Sequence, residues 1–170
     1  MPRRAFVASV AAGMALPWPN LDLGATVRTE LTEKNLHYAS VVTIASSIRQ
    51  KRVSSLEVVD ACLARIAQVN PKINAVVQLA ADEARKAAKE ADAAAARGRF
   101  RGPLHGVPFT IKDSLDTAGI ISTAGTIGWA KRIPSKDATA VARLRVAGAI
   151  LLGKTNTPEF TWSDETDNAV

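Results

Sequence analysis

The chain has 170 residues, with 22 Lys and Arg against 16 Asp and Glu for a formal charge of +6, and 47% of its residues are hydrophobic. That apolar content excludes a disordered chain, and no uninterrupted apolar run of roughly 20 residues is present to cross a membrane. The single cysteine, Cys62, can form neither an intrachain disulfide nor a CxxC metal site, so packing alone must hold a core the size of one domain or part of one.

The start reads differently from the rest. Met1-Pro2-Arg3-Arg4 is a short basic segment, and Ala5 to Leu16 is almost wholly apolar. This is the charge and length of a secretory signal, although the best small-residue cleavage site, Leu23-Gly24-Ala25, is poor. Residues 1–25 are therefore expected to be a signal-like or disordered N-terminus ahead of a domain at 26–170. The cytoplasm is the expected compartment, with the periplasm or secretion as the alternative this start offers.

From residue 40 onward, helix and strand signals alternate. Val41, Ile44, Ala45 and Ile48 stand at helical spacing, and the basic residues Arg49, Lys51 and Arg52 follow, which predicts a helix over 40–51 with cations at its negative end. A second helix is expected to begin at Ser54, where Ser54 and Glu57 have capping-box spacing. Leu56, Val59, Leu63 and Ile66 then mark one face until Asn70-Pro71 is expected to stop it. The β-branched segment 73–79 reads as a strand. Alanine-rich 80–97 reads as a long helix closed by Gly98, and its interleaved Asp82, Glu83, Arg85, Lys86, Lys89, Glu90 and Asp92 read as a solvated face.

After a Gly/Pro/Arg loop, Val107 to Ile111 is expected to form a second strand, with Pro108 near its start or on an edge. A helix is predicted over 137–147, with Val141 and Leu144 inward. The apolar segment 149–152 then reads as a short strand buried on both faces. Strand, loop, helix and strand in this order are the pattern of a right-handed βαβ crossover, so the fold class is α/β. Beyond Lys154 the acids Glu159, Asp164, Glu165 and Asp167 dominate. No basic stripe with interleaved aromatics appears, and no nucleic-acid partner is expected.

In open α/β sheets, ligands collect beyond the carboxyl ends of the strands. Two lysines stand at such ends: Lys112 directly after the strand through Ile111, and Lys154 one glycine after Leu152. A lysine there can lose its proton more readily through burial and neighbouring cations, and the neutral amine can serve a hydroxyl nucleophile. Equally, each amine could reach solvent and pair with Asp113 or Glu159. His105 in its Gly/Pro loop reads as a hydrogen-bonded structural residue, and His37 has no evident partner. Asp113 and Asp116 flank a turn without a third metal ligand, so no metal is expected. The run Ser122-Thr123-Ala124-Gly125-Thr126 could present N–H groups or hydroxyls to a ligand, or be a tight loop. Gly153-Lys154-Thr155 has the ending of a phosphate loop, but Ala149 stands where the first glycine belongs. No nucleotide or other cofactor is expected.

Several blocks together resemble one family. They are Gly102-Pro103-Leu104-His105-Gly106-Val107-Pro108-Phe109-Thr110-Ile111-Lys112-Asp113, Ser122-Thr123-Ala124-Gly125-Thr126, Asp137-Ala138-Thr139-Ala140-Val141-Ala142-Arg143-Leu144, and Gly148-Ala149-Ile150-Leu151-Leu152-Gly153-Lys154-Thr155-Asn156-Thr157-Pro158-Glu159-Phe160. In this order they look like the amidase signature family, and the helix from Ser54 with Asn70-Pro71-Lys72-Ile73-Asn74-Ala75 is similar to that family's N-terminal region. The resemblance implies the N-terminal portion of an α/β/α sandwich, with helices packed on a partial, mostly parallel sheet. It also implies amide hydrolysis by a Ser–cisSer–Lys triad whose lysine is Lys112, leaving Lys154 structural or a strand-end hydrogen-bond donor.

Both serines of that triad would lie downstream, in a Gly/Ser-rich stretch, and none of Ser114, Ser122, Ser135 or Ser163 sits in such a setting. The chain is thus expected to be an incomplete amidase signature domain, truncated at its C-terminus, that holds the base without the nucleophile and is inactive alone. Its last strand is expected to lack a neighbour on one side, which invites homo-oligomerisation or pairing through an exposed sheet edge. The complete enzyme would take a small-molecule amide, and no residue is singled out for binding it. Two alternatives stay open: the glutamine-acting amidase subunit of a tRNA-dependent amidotransferase, and a non-catalytic truncated protein or interaction module.

Overall fold

The computed structural model describes residues 36–170, which fall within one compact unit, and the signal-like start lies outside the described residues. The first two α-helices begin where the sequence supplies a cap. The Ser40 hydroxyl accepts the Thr43 N–H at the start of α1 (Val41–Arg49), which buries Ile44 and Ile48. At α2 (Ser55–Ile73) the capping box is complete: the Ser54 hydroxyl accepts the Glu57 N–H at 3.1 Å, and the Glu57 carboxylate accepts the Ser54 N–H at 2.7 Å.

Helix α2 does not stop at Asn70. It runs through Pro71 to Ile73 and is capped by Asn74, whose left-handed backbone (φ 44°) directs its N–H to Asn70 O. A proline in the last turn already has helical φ and removes a single hydrogen bond, so the break falls one turn later. The Asn70 side chain then takes both backbone groups of Val76, its oxygen accepting the N–H at 2.8 Å and its amide donating to the carbonyl at 2.9 Å. These bonds start β1 (Val76–Leu79).

Helix α3 (Ala81–Ala96) buries Ala84, Ala88, Ala91 and Ala95 on one stripe, and the short side chains let it lie close against α2. Val59 and Leu63 of α2, Ala84, Ala88 and Ala91 of α3 and the strand residues Ile150 and Leu152 form one core, and Leu36, Ile44, Ile48, Val58 and Val107 form a second. Val58 and Val59 are fully buried, each worth about 1.5–3 kcal/mol relative to exposure. Asp92 departs from the solvated face assigned to it. Its carboxylate reaches from α3 to accept the Ser55 and Leu56 N–H groups at 2.6 and 3.1 Å, placing a negative charge on the N-terminus of α2.

Among the described residues the sheet has three strands in the order β1–β3–β2, with β2 (Pro108–Lys112) and β3 (Ile150–Thr155) parallel and β1 antiparallel to β3. Helix α4 (Thr139–Val146), with Val141 buried, makes the crossover between the parallel pair. The class is α/β, as expected, but half of the strand pairings are antiparallel. The last strand does not lack a neighbour: β3 is central, because β1 returns antiparallel along its second side, and among the described residues the open edges belong to β1 and β2. Between Phe109 and Thr110 the register slips, so that Gly153 of β3 stands opposite Thr110 and Lys154 opposite Ile111. Only glycine fits at 153, since a Cβ there would stand 2.2 Å from Gln78 O on β1.

Candidate active site

The carboxyl ends of β2 and β3 meet at one end of the sheet, where Lys112 pairs with Thr155 as the last residue of β2. Lys112 is exposed, and among the described residues it takes part in no salt bridge. The next residue, Asp113, is buried. Its N–H donates to Thr155 O at 2.9 Å and its carbonyl accepts the Ala124 N–H at 3.4 Å. One carboxylate oxygen, Oδ2, accepts the Thr123 N–H at 2.9 Å and the Thr123 hydroxyl. The other, Oδ1, lies 3.7 Å from Lys154 Nζ and has no hydrogen-bond partner among the described residues.

Lys154 is fully buried, so its amine does not reach solvent. It donates to Leu115 O at 2.6 Å and to the Ser122 hydroxyl at 2.7 Å. Its acid partner is Asp113; Glu159 is not involved. Burial pushes the Lys154 amine below its ordinary range, and the Asp113 charge acts in the opposite direction. A serine hydroxyl 2.7 Å from a lysine amine has the form of a nucleophile and its base. Both side chains are sealed from solvent, however, and Ser122 donates onward to Ile120 O at 3.3 Å. This contact ties the turn after β2 to the loop at Ser122 and offers a substrate no access.

The small-residue run is a tight loop. Ser122 N–H goes to Arg132 O, Thr123 N–H to Asp113, Gly125 N–H to the Thr123 hydroxyl and Thr126 N–H to Thr123 O, which leaves none of these for a ligand. Asp116 receives both arms of Arg132, at 2.6 and 2.7 Å, and these bonds hold its carboxyl below the usual range. The Arg132 guanidinium also lies over the Trp129 ring, 4.6 Å from its centre. His105 is structural: it is buried, accepts the Arg101 N–H at Nδ1 and sets Nε2 3.0 Å from Ala91 O. The His37 ring rests against Tyr38. No group of three metal-ligating side chains occurs among the described residues, nor does any helix long and apolar enough to cross a membrane.

Of the two strand-end lysines, then, one is exposed and unpaired among the described residues and the other is locked into the scaffold beneath it. The sequence reading offered Asp113 as a lysine's partner, but at the surface; what escaped it is the burial of the Asp113–Lys154 pair. Its one local signal is an aspartate directly after Lys112, facing a lysine set in an otherwise apolar strand.

The family pattern described as Amidase matches residues 57–170. The chain is 42% identical over 138 residues to an acylamidase of Rhodococcus erythropolis, covering 81% of this chain and 29% of the relative. It is 42% identical over 134 residues to a glutamyl-tRNA(Gln) amidotransferase subunit of Carboxydothermus hydrogenoformans, covering 79% and 28%. Among solved structures, fatty acid amide hydrolase superposes with a TM-score of 0.76 at 27% identity, over 82% of this chain and 25% of that one. A bacterial aryl acylamidase of the amidase signature family superposes with a TM-score of 0.74 at 32% identity, over 78% and 28%. The chain therefore spans under a third of the length of these proteins, and over the span that it covers it belongs to the Amidase family, the amidase signature enzymes.

Proposed function

We propose that this chain contributes the lysine base to hydrolysis of a carbon–nitrogen amide bond, and that Lys112 is that base. The observation that carries the reading is the contrast at the sheet's carboxyl end. Lys112 presents a solvent-facing amine with no salt bridge among the described residues, while the residue after it is clamped by Thr123, Ala124 and Thr155. A flexible amine on a fixed root can meet a hydroxyl brought to it.

In the Ser–cisSer–Lys scheme the neutral Lys112 amine accepts a proton from the bridging serine, which takes one from the nucleophilic serine as that oxygen attacks the amide carbon. The proton returns along the same path to the leaving amine, and water then releases the acid. Neither serine belongs to these 170 residues in this reading, so the chain by itself turns over no amide. The 42% identity to an amidotransferase subunit supports a second reading, in which the amide is the side chain of glutamine.

The test is to replace the matching segment of the Rhodococcus erythropolis acylamidase with this chain and follow release of the amine from an acyl anilide, and separately of ammonia from glutamine. Turnover that is lost in Lys112→Ala supports the reading. Turnover by the 170-residue chain alone, or turnover indifferent to Lys112, overturns it.

A further inference from the structure

Two 3₁₀ turns, Ile127–Trp129 and Glu159–Thr161, lie side by side and present large apolar side chains to solvent. The rings of Trp129 and Phe160 meet edge to face at 5.3 Å, and the Phe160 N–H donates to Ala124 O at 2.8 Å. Ile127 is 66% exposed and Trp162, just after the second turn, 90%. Ala124, Phe160 and Thr161 all hold positive φ, at 52°, 47° and 62°, a conformation uncommon outside glycine. Strain of this kind persists only where surrounding contacts impose it, and it gathers at functional sites. The patch is tied to the candidate active site through Ala124, whose N–H donates to the carbonyl of Asp113, the residue after Lys112.

We infer that this patch is the seat for the part of an Amidase domain that the present chain does not match. The inference rests on the reading of Lys112 given above, because that part must bring hydroxyls to the amine. Length supports the choice of occupant: the chain covers 29% of the acylamidase and 25% of fatty acid amide hydrolase, so most of each is unmatched. Position supports it too, since the patch lies two backbone hydrogen bonds from the residue after Lys112, at the end of edge strand β2. Contiguous exposed apolar groups mark interaction surfaces, and tryptophan dominates the energy of such surfaces. Charge at the patch is mixed: Glu159 in the second turn is exposed, and the Arg132 guanidinium lies over the Trp129 ring, so it is the apolar side chains that mark the surface.

The experiment co-expresses the tagged 170-residue chain with the Rhodococcus erythropolis acylamidase from which the matching segment has been deleted. The remainder should co-purify with the chain. The double variant Ile127→Ser/Trp162→Ser alters only exposed side chains, and its circular dichroism and unfolding midpoint should match the parent. It should recover at least tenfold less remainder. Lys112→Ala should capture as much remainder as the parent while the complex loses amide turnover. A complex that forms through the patch and hydrolyses the amide equally well with Lys112→Ala upholds the seat and counts against Lys112 as base. Absence of the remainder from the purified chain, equal capture by the double variant, or a chain dimer that the double variant abolishes would each overturn the inference; the last would name a second copy as the occupant.

Discussion

Replacing Lys154 with methionine keeps the apolar stem and removes the charge and its donors. In the parent, the fully buried ammonium donates to Leu115 O and Ser122 Oγ and stands 3.7 Å from the equally buried Asp113 carboxylate. A hydrogen bond from a charged group contributes about 1.5–3 kcal/mol, and breaking a buried ion pair from one side costs about 3–5 kcal/mol because the other charge is left unpaired. Relief of the lysine's own desolvation offsets part of this, so we expect Lys154→Met to lose about 3 kcal/mol at pH 7. Adding Asp113→Asn removes the stranded charge and should recover at least about 1 kcal/mol. Urea unfolding followed by tryptophan fluorescence and circular dichroism measures both. The folded-state pKa of Lys154 lies below its ordinary 10.5, so between the lowered value and 10.5 the unfolded chain binds more protons and the parent gains stability as pH rises. The cost of Lys154→Met should therefore be larger at pH 10 than at pH 7. A cost below about 1 kcal/mol would rule out a stabilising buried pair, and a cost that shrinks with rising pH would contradict the lowered pKa of Lys154.

Ser54→Ala should cost about 1 kcal/mol through loss of the capping box at α2, and an unchanged urea midpoint would speak against that cap. Gly153→Ala should cost about 1–3 kcal/mol, since its Cβ would stand 2.2 Å from Gln78 O and force β1 from β3; hydrogen exchange should then show the amides of Val76–Leu79 losing protection, and retained protection would contradict the close approach. Asp116→Asn should cost no more than about 1 kcal/mol at pH 7, because the side chains of Arg132 and Asp116 are 34% and 41% exposed. The Asp116 pKa is lowered in the fold, so its contribution is complete above the ordinary 3.8 and fades as pH falls through the folded value; a difference that persists undiminished at pH 2 would contradict the pairing with Arg132.

Much of the scaffold was legible because its signals are local. Ser54 and Glu57 announce the start of α2, and the alanine-rich run announces the length of α3, though not which alanines it buries. The features that escaped depend on partners distant in sequence. Asp92 looks like any surface acid until α3 lies against the N-terminus of α2. Lys154 looks like the end of an apolar strand, whereas β3 continues through it to Thr155, since Asp113, Leu115 and Ser122 supply the polar contacts that allow a lysine inside. The central place of β3 was equally hidden, because the order of strands along the chain says nothing about which side β1 returns to. Of the candidate site, periodicity placed both lysines at strand ends but could not rank them. The family resemblance favoured Lys112; in the structure Lys112 is exposed, whereas Lys154 is buried with its hydrogen bonds already made.

The sharpest trial of Lys112 as base compares Lys112→Ala with Lys154→Met in a single polypeptide that joins this chain to the unmatched part of the Rhodococcus erythropolis acylamidase. We predict that Lys112→Ala lowers kcat for anilide hydrolysis by about 10²–10⁴-fold with the unfolding midpoint unchanged, while Lys154→Met lowers the midpoint and leaves kcat of the folded fraction within about tenfold. The opposite pattern, with activity surviving the loss of the Lys112 amine and vanishing from folded Lys154→Met, would contradict it.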